Sequence, residues 1–239
     1  MPGGSSSSPP GSRPTWRKWL AELPVRVRAH WRIKALLAAT IAFLFCVPYF
    51  LLGHYPVMPV HELPLSAIDR VIGFRPTGWV WVYQSVYVPV NVIPWLARRR
   101  EELERYAKGF AIVSLVSFAV FFLFPIPAPK PTGVDVGGMY WLLQLYDADY
   151  NSLPSLHAGL LVYTLCFGRR LFEHGRPAGL DVACATWATL ILYATLATKE
   201  HYAVDIASGV ALALTVDAVV WRRRPVATAA DPTPLPAES

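Results

Sequence analysis

Charge is what this chain has least of. Only 16% of its 239 residues are Asp, Glu, Lys or Arg, where a soluble domain carries about a quarter. Apolar residues make up 54% and the mean hydropathy is +0.35. They come in long blocks that charge does not interrupt, which excludes a water-soluble domain. Cysteine is scarce as well. Cys46, Cys166 and Cys184 all fall inside apolar blocks, with neither metal-ligand spacing nor a paired pattern, so they read as small core residues. There is no internal repeat and no glycine-rich nucleotide loop. No basic stripe alternates with exposed aromatics, which excludes nucleic acid as a partner. No small-residue cleavage site follows the first apolar run, so that run reads as an anchor.

What the chain does have is six apolar stretches, at about 35–52, 78–97, 109–125, 154–170, 180–198 and 202–221. Each is long enough to cross ~30 Å of hydrocarbon as a helix. Pro48, Pro89 and Pro94 should kink the first two. The expected fold is all-α: an integral membrane six-helix bundle with short interfacial helices in its outer loops. Residues 1–34 form a disordered and basic tail, 35–221 the membrane domain, and 222–239 a second tail. Within the first tail, Trp16 to Lys34 has the makings of an amphipathic interfacial segment broken at Pro24. Residues 53–76 hold Ile68, Val71 and Ile72 at helical spacing, which predicts a short surface helix. The aromatic run M-Y-W-L-L-Q-L-Y-D-A-D-Y (139–150) is too short to span and belongs at the interface.

The basic residues set the orientation. Eighteen of the 22 fall in the N-terminal tail and in segments 98–108, 169–177 and 222–224. The other four are Arg70, Arg75, Lys130 and Lys199. Basic residues stay cytoplasmic, so both termini are expected inside a multi-pass cell-membrane protein, and the four lie outside.

Two stretches carry chemistry. Residues 151–159 read N-S-L-P-S-L-H-A-G. Pro154 suits a first helical turn, with Ser152 or Asn151 as its cap, and His157 follows one turn in. A helix start gathers unpaired N–H groups and partial positive charge, which suits a phosphate. Ser155 can add a hydroxyl. Residues 198–209 read T-K-E-H-Y-A-V-D-I-A-S-G. His201 and Asp205, four apart, share one helix face. Asp205 can accept Nδ1–H of His201, leaving Nε2 as nucleophile or base. Either feature alone also fits a structural histidine or an ion pair bridging two helices. Topology favours a shared site, because the fourth and sixth spans both start at the outer face and place both histidines at one depth. His54, His61 and Glu62 are too irregularly spaced for a metal site, and Asp217 can snorkel toward Arg222–Arg224.

P-S-L-H followed by H-Y-A-V-D resembles the second and third motifs of the type 2 phosphatidic acid phosphatase superfamily. P-S-L-H-A-G with H-Y-A-V-D looks like its inositol phosphorylceramide synthase branch, with sphingomyelin synthases as further relatives. The resemblance covers roughly residues 35–221. It implies phosphoryl transfer through a phosphohistidine on a lipid phosphate, without metal or cofactor. His201 would attack phosphorus, Asp205 would orient it, and His157 would protonate the leaving oxygen. Ser155 and nearby N–H groups would hold the phosphate. The phosphatases' Ser-Arg before the third-motif histidine is Ala194-Thr195 here, and their first-motif Lys is absent. The transferase branch lacks the Arg too, so transfer of a phospho-head group to an alcohol is favoured over hydrolysis of phosphatidic acid- or prenyl diphosphate-like substrates. Lys130, Lys199, Arg75 and Arg70 are the outer cations left to hold phosphate. A non-enzymatic transporter or scaffold would need polar residues deep in several spans, and spans one, two, three and five have almost none.

Overall fold

A computed structural model describes residues 16–131, 138–147, 149–172, 177 and 179–222. Of the tail assigned to 1–34, residues 1–15 lie outside the described residues and the remainder is largely helical, in α1 and the start of α2; nearly all of 222–239 also lies outside the described residues. The helices are α1 (Trp16–Arg28), α2 (Trp31–His54), α3 (Ala67–Val71), α4 (Thr77–Gln84), α5 (Tyr87–Val92), α6 (Arg100–Leu123), α7 (Gly138–Tyr146), α8 (Leu156–Leu171), α9 (Leu180–Ala197) and α10 (Ala203–Val220). Among the described residues there is no strand, only an isolated bridge between Ile126 and Asn151.

Four helices, α2, α6, α9 and α10, are long and apolar enough to cross a membrane. The expected second span is instead three pieces: α4, α5 and a 3₁₀ turn over Ile93–Leu96. Its backbone ladder is interrupted where Ser85 Oγ bonds back to the Val82 carbonyl at 2.6 Å, and Pro89 and Pro94 supply no N–H. Helix α8 has 16 residues, fewer than a straight crossing needs. Proline does not break the other helices. α1 runs through Pro24 and α2 through Pro48, so the expected interruption at Pro24 is absent. The short helix expected within 53–76 is α3, capped by Ser66, whose Oγ accepts from Asp69 N at 3.2 Å. The 139–150 run supplies α7.

The core lies between α6, α8 and α10, where Phe110, Val113, Phe121, Leu160, Phe167 and Val216 are buried together. Helix α2 adds Phe45, stacked on Tyr49 and tilted against Phe110 and Phe118. Lipid is as apolar as leucine, so such a core is held by close fit, which small residues at crossings permit. Gly159 of α8 and Gly209 of α10 face each other. A Cβ on Gly209 would collide with the Ser155 carbonyl, and one on Gly159 would press on the Gly209 carbonyl at 3.2 Å. This contact brings the starts of α8 and α10 together.

The bundle has two chemically distinct ends. One collects Arg26, Lys34, Arg99, Arg100 and Arg170. There Arg170 grips Asp217 through two bonds of 2.6 and 2.7 Å. Asp217 therefore pairs with Arg170 of α8, because a fork-shaped guanidinium on the neighbouring helix meets both its oxygens; of the expected 222–224 partners, Arg223 and Arg224 lie outside the described residues. The other end holds both histidines.

Candidate active site

Pro154 lies ahead of α8, not in its first turn. The helix starts at Leu156, with Ser155 as its cap: Ser155 Oγ accepts from Ala158 N at 3.3 Å. His157 is thus the second residue of α8. His201 falls just before α10, in the turn after α9, so it and Asp205 are not on one continuous helix. Both rings are buried, and His157 Nδ1 lies 3.2 Å from His201 Nε2. The structure therefore brings together two histidines that are 44 residues apart in the chain.

His201 Nδ1 is 3.0 Å from the Ser152 carbonyl and 3.5 Å from Asp205 Oδ2. A carbonyl only accepts, so Nδ1 carries the hydrogen and Nε2 keeps its lone pair toward His157. The tautomer expected from Asp205 is thus fixed at closer range by a backbone carbonyl. Asp205, fully buried, holds the loop that supplies this carbonyl. Its Oδ2 accepts from Ser152 Oγ at 2.5 Å and from Tyr202 N at 2.8 Å. Its own carbonyl accepts from Ser155 N at 2.9 Å. One residue so ties the second motif to the third.

Of the expected phosphate-binding cations, Lys130, Lys199 and Arg70 are already engaged. Lys130 Nζ lies 2.9 Å from Glu200 Oε2 and 3.2 Å from Asp149 Oδ1. Burial opposes its charge, but Glu200, Asp147 and Asp149 together hold its ammonium above the ordinary lysine value. Burial and neighbouring Asp147 push Glu200 up to about 8. Lys199 Nζ donates to the Asp69 and Ile72 carbonyls, each at 2.6 Å. Arg75 is exposed in a separate surface pocket with Phe74, Thr77 and Trp79. Arg70 bonds the Leu65 carbonyl at 2.6 Å.

Several residues at the site were not singled out by the motifs. Tyr83 OH lies 3.1 and 3.0 Å from the two ring nitrogens of His157, and Tyr87 OH lies 3.3 Å from its Nε2. Asp147 receives the Tyr83 hydroxyl at 2.7 Å and the Tyr49 hydroxyl at 2.9 Å. The available signal was a carboxylate in an aromatic stretch that closes on the second motif. Glu200 had another, being adjacent to His201.

Below His157 opens a cavity of about 260 Å³ between α2, α5, α6 and α8. Its wall includes Leu37, Ile41, Phe45, Val90, Phe110 and Leu160. Lys34 and Trp95 close one end, and His157 and Asp147 border the other. Along α2 the groove runs from Lys34 to Tyr49, roughly 22 Å at the helical rise, more than the ~15 Å of one leaflet's hydrocarbon.

These features define a helical membrane protein with a buried histidine pair at the head of an apolar groove. The chain belongs to the PAP2 superfamily, whose family model matches residues 75–219. That stretch takes in α4 through most of α10, with both histidine motifs. Neither the curated proteins nor the solved structures give a match. Membership supports activity of the phosphatase or phosphotransferase type on a lipid phosphate in a membrane.

Proposed function

We propose that the protein transfers a phospho-head group between a lipid phosphodiester and an alcohol through a phosphohistidine on His201. The observation that carries this is the His157–His201 contact of 3.2 Å, with the His201 Nε2 lone pair directed at the His157 ring. A phosphate entering between the rings displaces the contact. Nε2 attacks phosphorus, the bond to the leaving oxygen breaks, and His157 gives that oxygen a proton. The acceptor alcohol then returns a proton to His157 as it attacks the phosphohistidine and releases Nε2.

The charges near the pair favour a diester over a phosphomonoester. Asp147, Asp205 and Glu200 are buried around the histidines, and the nearby Lys130 is matched by two carboxylates. A dianionic monoester would need cations to offset its charge, whereas a diester carries a single charge. The groove suits an apolar chain running from the reacting phosphate into the bilayer. This reading is of the transferase kind, as in the inositol phosphorylceramide synthase branch. It takes the six passes and an outward-facing site from the basic-residue asymmetry.

The test is acid-labile phosphate on the protein after rapid quench, with a phospholipid labelled in its phosphate and an alcohol supplied in the vesicles. Wild type should carry the label and pass it to the alcohol, forming a new lipid. His201→Ala should lose both label and turnover. His157→Ala should keep the label with a nitrophenyl ester yet slow with an alkyl ester by roughly 10²–10⁴. Label retained in His201→Ala would sink the phosphohistidine, and a labelled phosphomonoester, released to water with no new lipid formed, would make the enzyme a hydrolase.

A further inference from the structure

Asp147 belongs to neither histidine motif, yet it is the buried end of a hydrogen-bonded chain that reaches His157. We propose that Asp147, acting through the Tyr83 hydroxyl, is the positioning residue that holds His157 as the reaction's proton donor. The proposal rests on the reading above and adds a residue to it.

The geometry gives the direction of each bond. Tyr83 has one hydroxyl hydrogen, and the Asp147 carboxylate, 2.7 Å away, takes it. The Tyr83 oxygen then accepts from a His157 N–H, at 3.0–3.1 Å. The chain runs from His157 through Tyr83 to Asp147, a carboxylate backing an imidazole with a phenol between them. The Tyr49 hydroxyl, from α2, fixes the other carboxylate oxygen. A buried imidazolium needs a nearby anion, because an unpaired charge in such a place is costly. Asp205 serves His201 and its loop, so Asp147 is the carboxylate placed to balance His157.

Other groups face this chain. Tyr87 from α5 reaches His157 Nε2, and His201 lies against Nδ1. Lys130 and Glu200 flank Asp147 from the connection between α6 and α7 and from the α9–α10 turn. Lys130 opposes a charged His157, but it is itself paired with Glu200 and Asp149. Burial alone would push the Asp147 carboxyl up. The charges of His157 and Lys130, with the Tyr83 and Tyr49 hydroxyls, hold it below the ordinary carboxylate value.

During reaction His157 alone changes its proton count. It gives its proton to the leaving oxygen as the phosphorus–oxygen bond breaks, and recovers one from the acceptor alcohol. Tyr83 keeps its hydroxyl hydrogen and Asp147 its charge.

The experiment compares two phosphodiesters in vesicles, the nitrophenyl and the ethyl ester of a short-chain phosphatidic acid, with the full-length protein. Nitrophenolate leaves without an acid. Asp147→Asn should therefore release its first equivalent of nitrophenolate within a few-fold of the wild-type rate. On the ethyl ester it should lose about 10²-fold, and the high-pH limb of its rate profile should move down by about one unit or more. Tyr83→Phe should act in the same direction, and Asp147→Glu should restore part of the rate. An unchanged high-pH limb in Asp147→Asn and Tyr83→Phe overturns the proposal. So does equal loss on both esters, which is the mark of a merely structural carboxylate. If instead His201→Ala still turns over the nitrophenyl ester, the underlying phosphohistidine reading has failed, whatever Asp147 does.

Discussion

Glu200 shows how strongly one residue's charge state depends on its surroundings. Burial, then Asp147, raise its carboxyl from 4.5 to about 8, even with Lys130 at 2.9 Å. A carboxyl raised by folding binds protons more tightly in the native state. Its contribution to stability is complete below about 4.5 and is lost as pH rises through about 8. Lys130, shifted up, keeps its contribution until the pH passes the ordinary lysine range. Asp147, shifted down, loses its contribution only in acid. Above the ordinary histidine range, between about pH 7 and 8, the slope is therefore Glu200's. The melting temperature of the purified protein in detergent should fall across that range, and Glu200→Gln should flatten the fall. A variant with the wild-type slope would show that another group is responsible.

Among the elements, the crossing of α8 and α10 controls the site, because it sets the distance between the two motif histidines. The Gly209 position has no room for a side chain against the Ser155 carbonyl. Gly209→Ala must push the start of α8 away from α10, and a displacement of about 1 Å at a reacting centre can cost about 10²-fold. Phosphohistidine formation should fall by that order while the protein still elutes as a single species. Gly78→Ala in α4, where a Cβ would meet nothing within 4 Å, should leave it unchanged. Equal rates for the two variants would mean that the crossing tolerates the shift.

For the whole molecule, the order of the helices makes the ends alternate. The ends of α2 and α6, the starts of α8 and α10 and the end of α9 share the histidine end. Arg100 and the Arg170–Asp217 pair lie at the opposite one. From the sequence positions of 18 of the 22 basic residues we propose that this opposite end faces the cytoplasm, as the positive-inside rule expects. Single cysteines at Glu62 and Glu101, in a chain freed of its three native cysteines, should then react from opposite sides of intact cells, with position 62 outside. Labelling of both from the same side would remove the outward-facing site.

The sequence by itself determined that the chain is helical and membrane-bound, because hydrocarbon tolerates little charge and demands an internally bonded backbone. It also determined which two histidines to watch, since each stands in a motif of fixed spacing beside an expected helix start. It did not reveal that the second span is broken, because prolines bend some membrane helices and leave others continuous, as Pro48 shows in α2. Nor did it reveal that the Ser152 carbonyl outranks Asp205 as the partner of His201, or that Lys130 and Lys199 are occupied. Those outcomes depend on which groups from remote segments come within about 3 Å. Spacing along a chain fixes neighbours one turn away. Only the packing of α8 on α10, with Tyr49, Tyr83 and Asp147 brought in from three other segments, decides what surrounds His157.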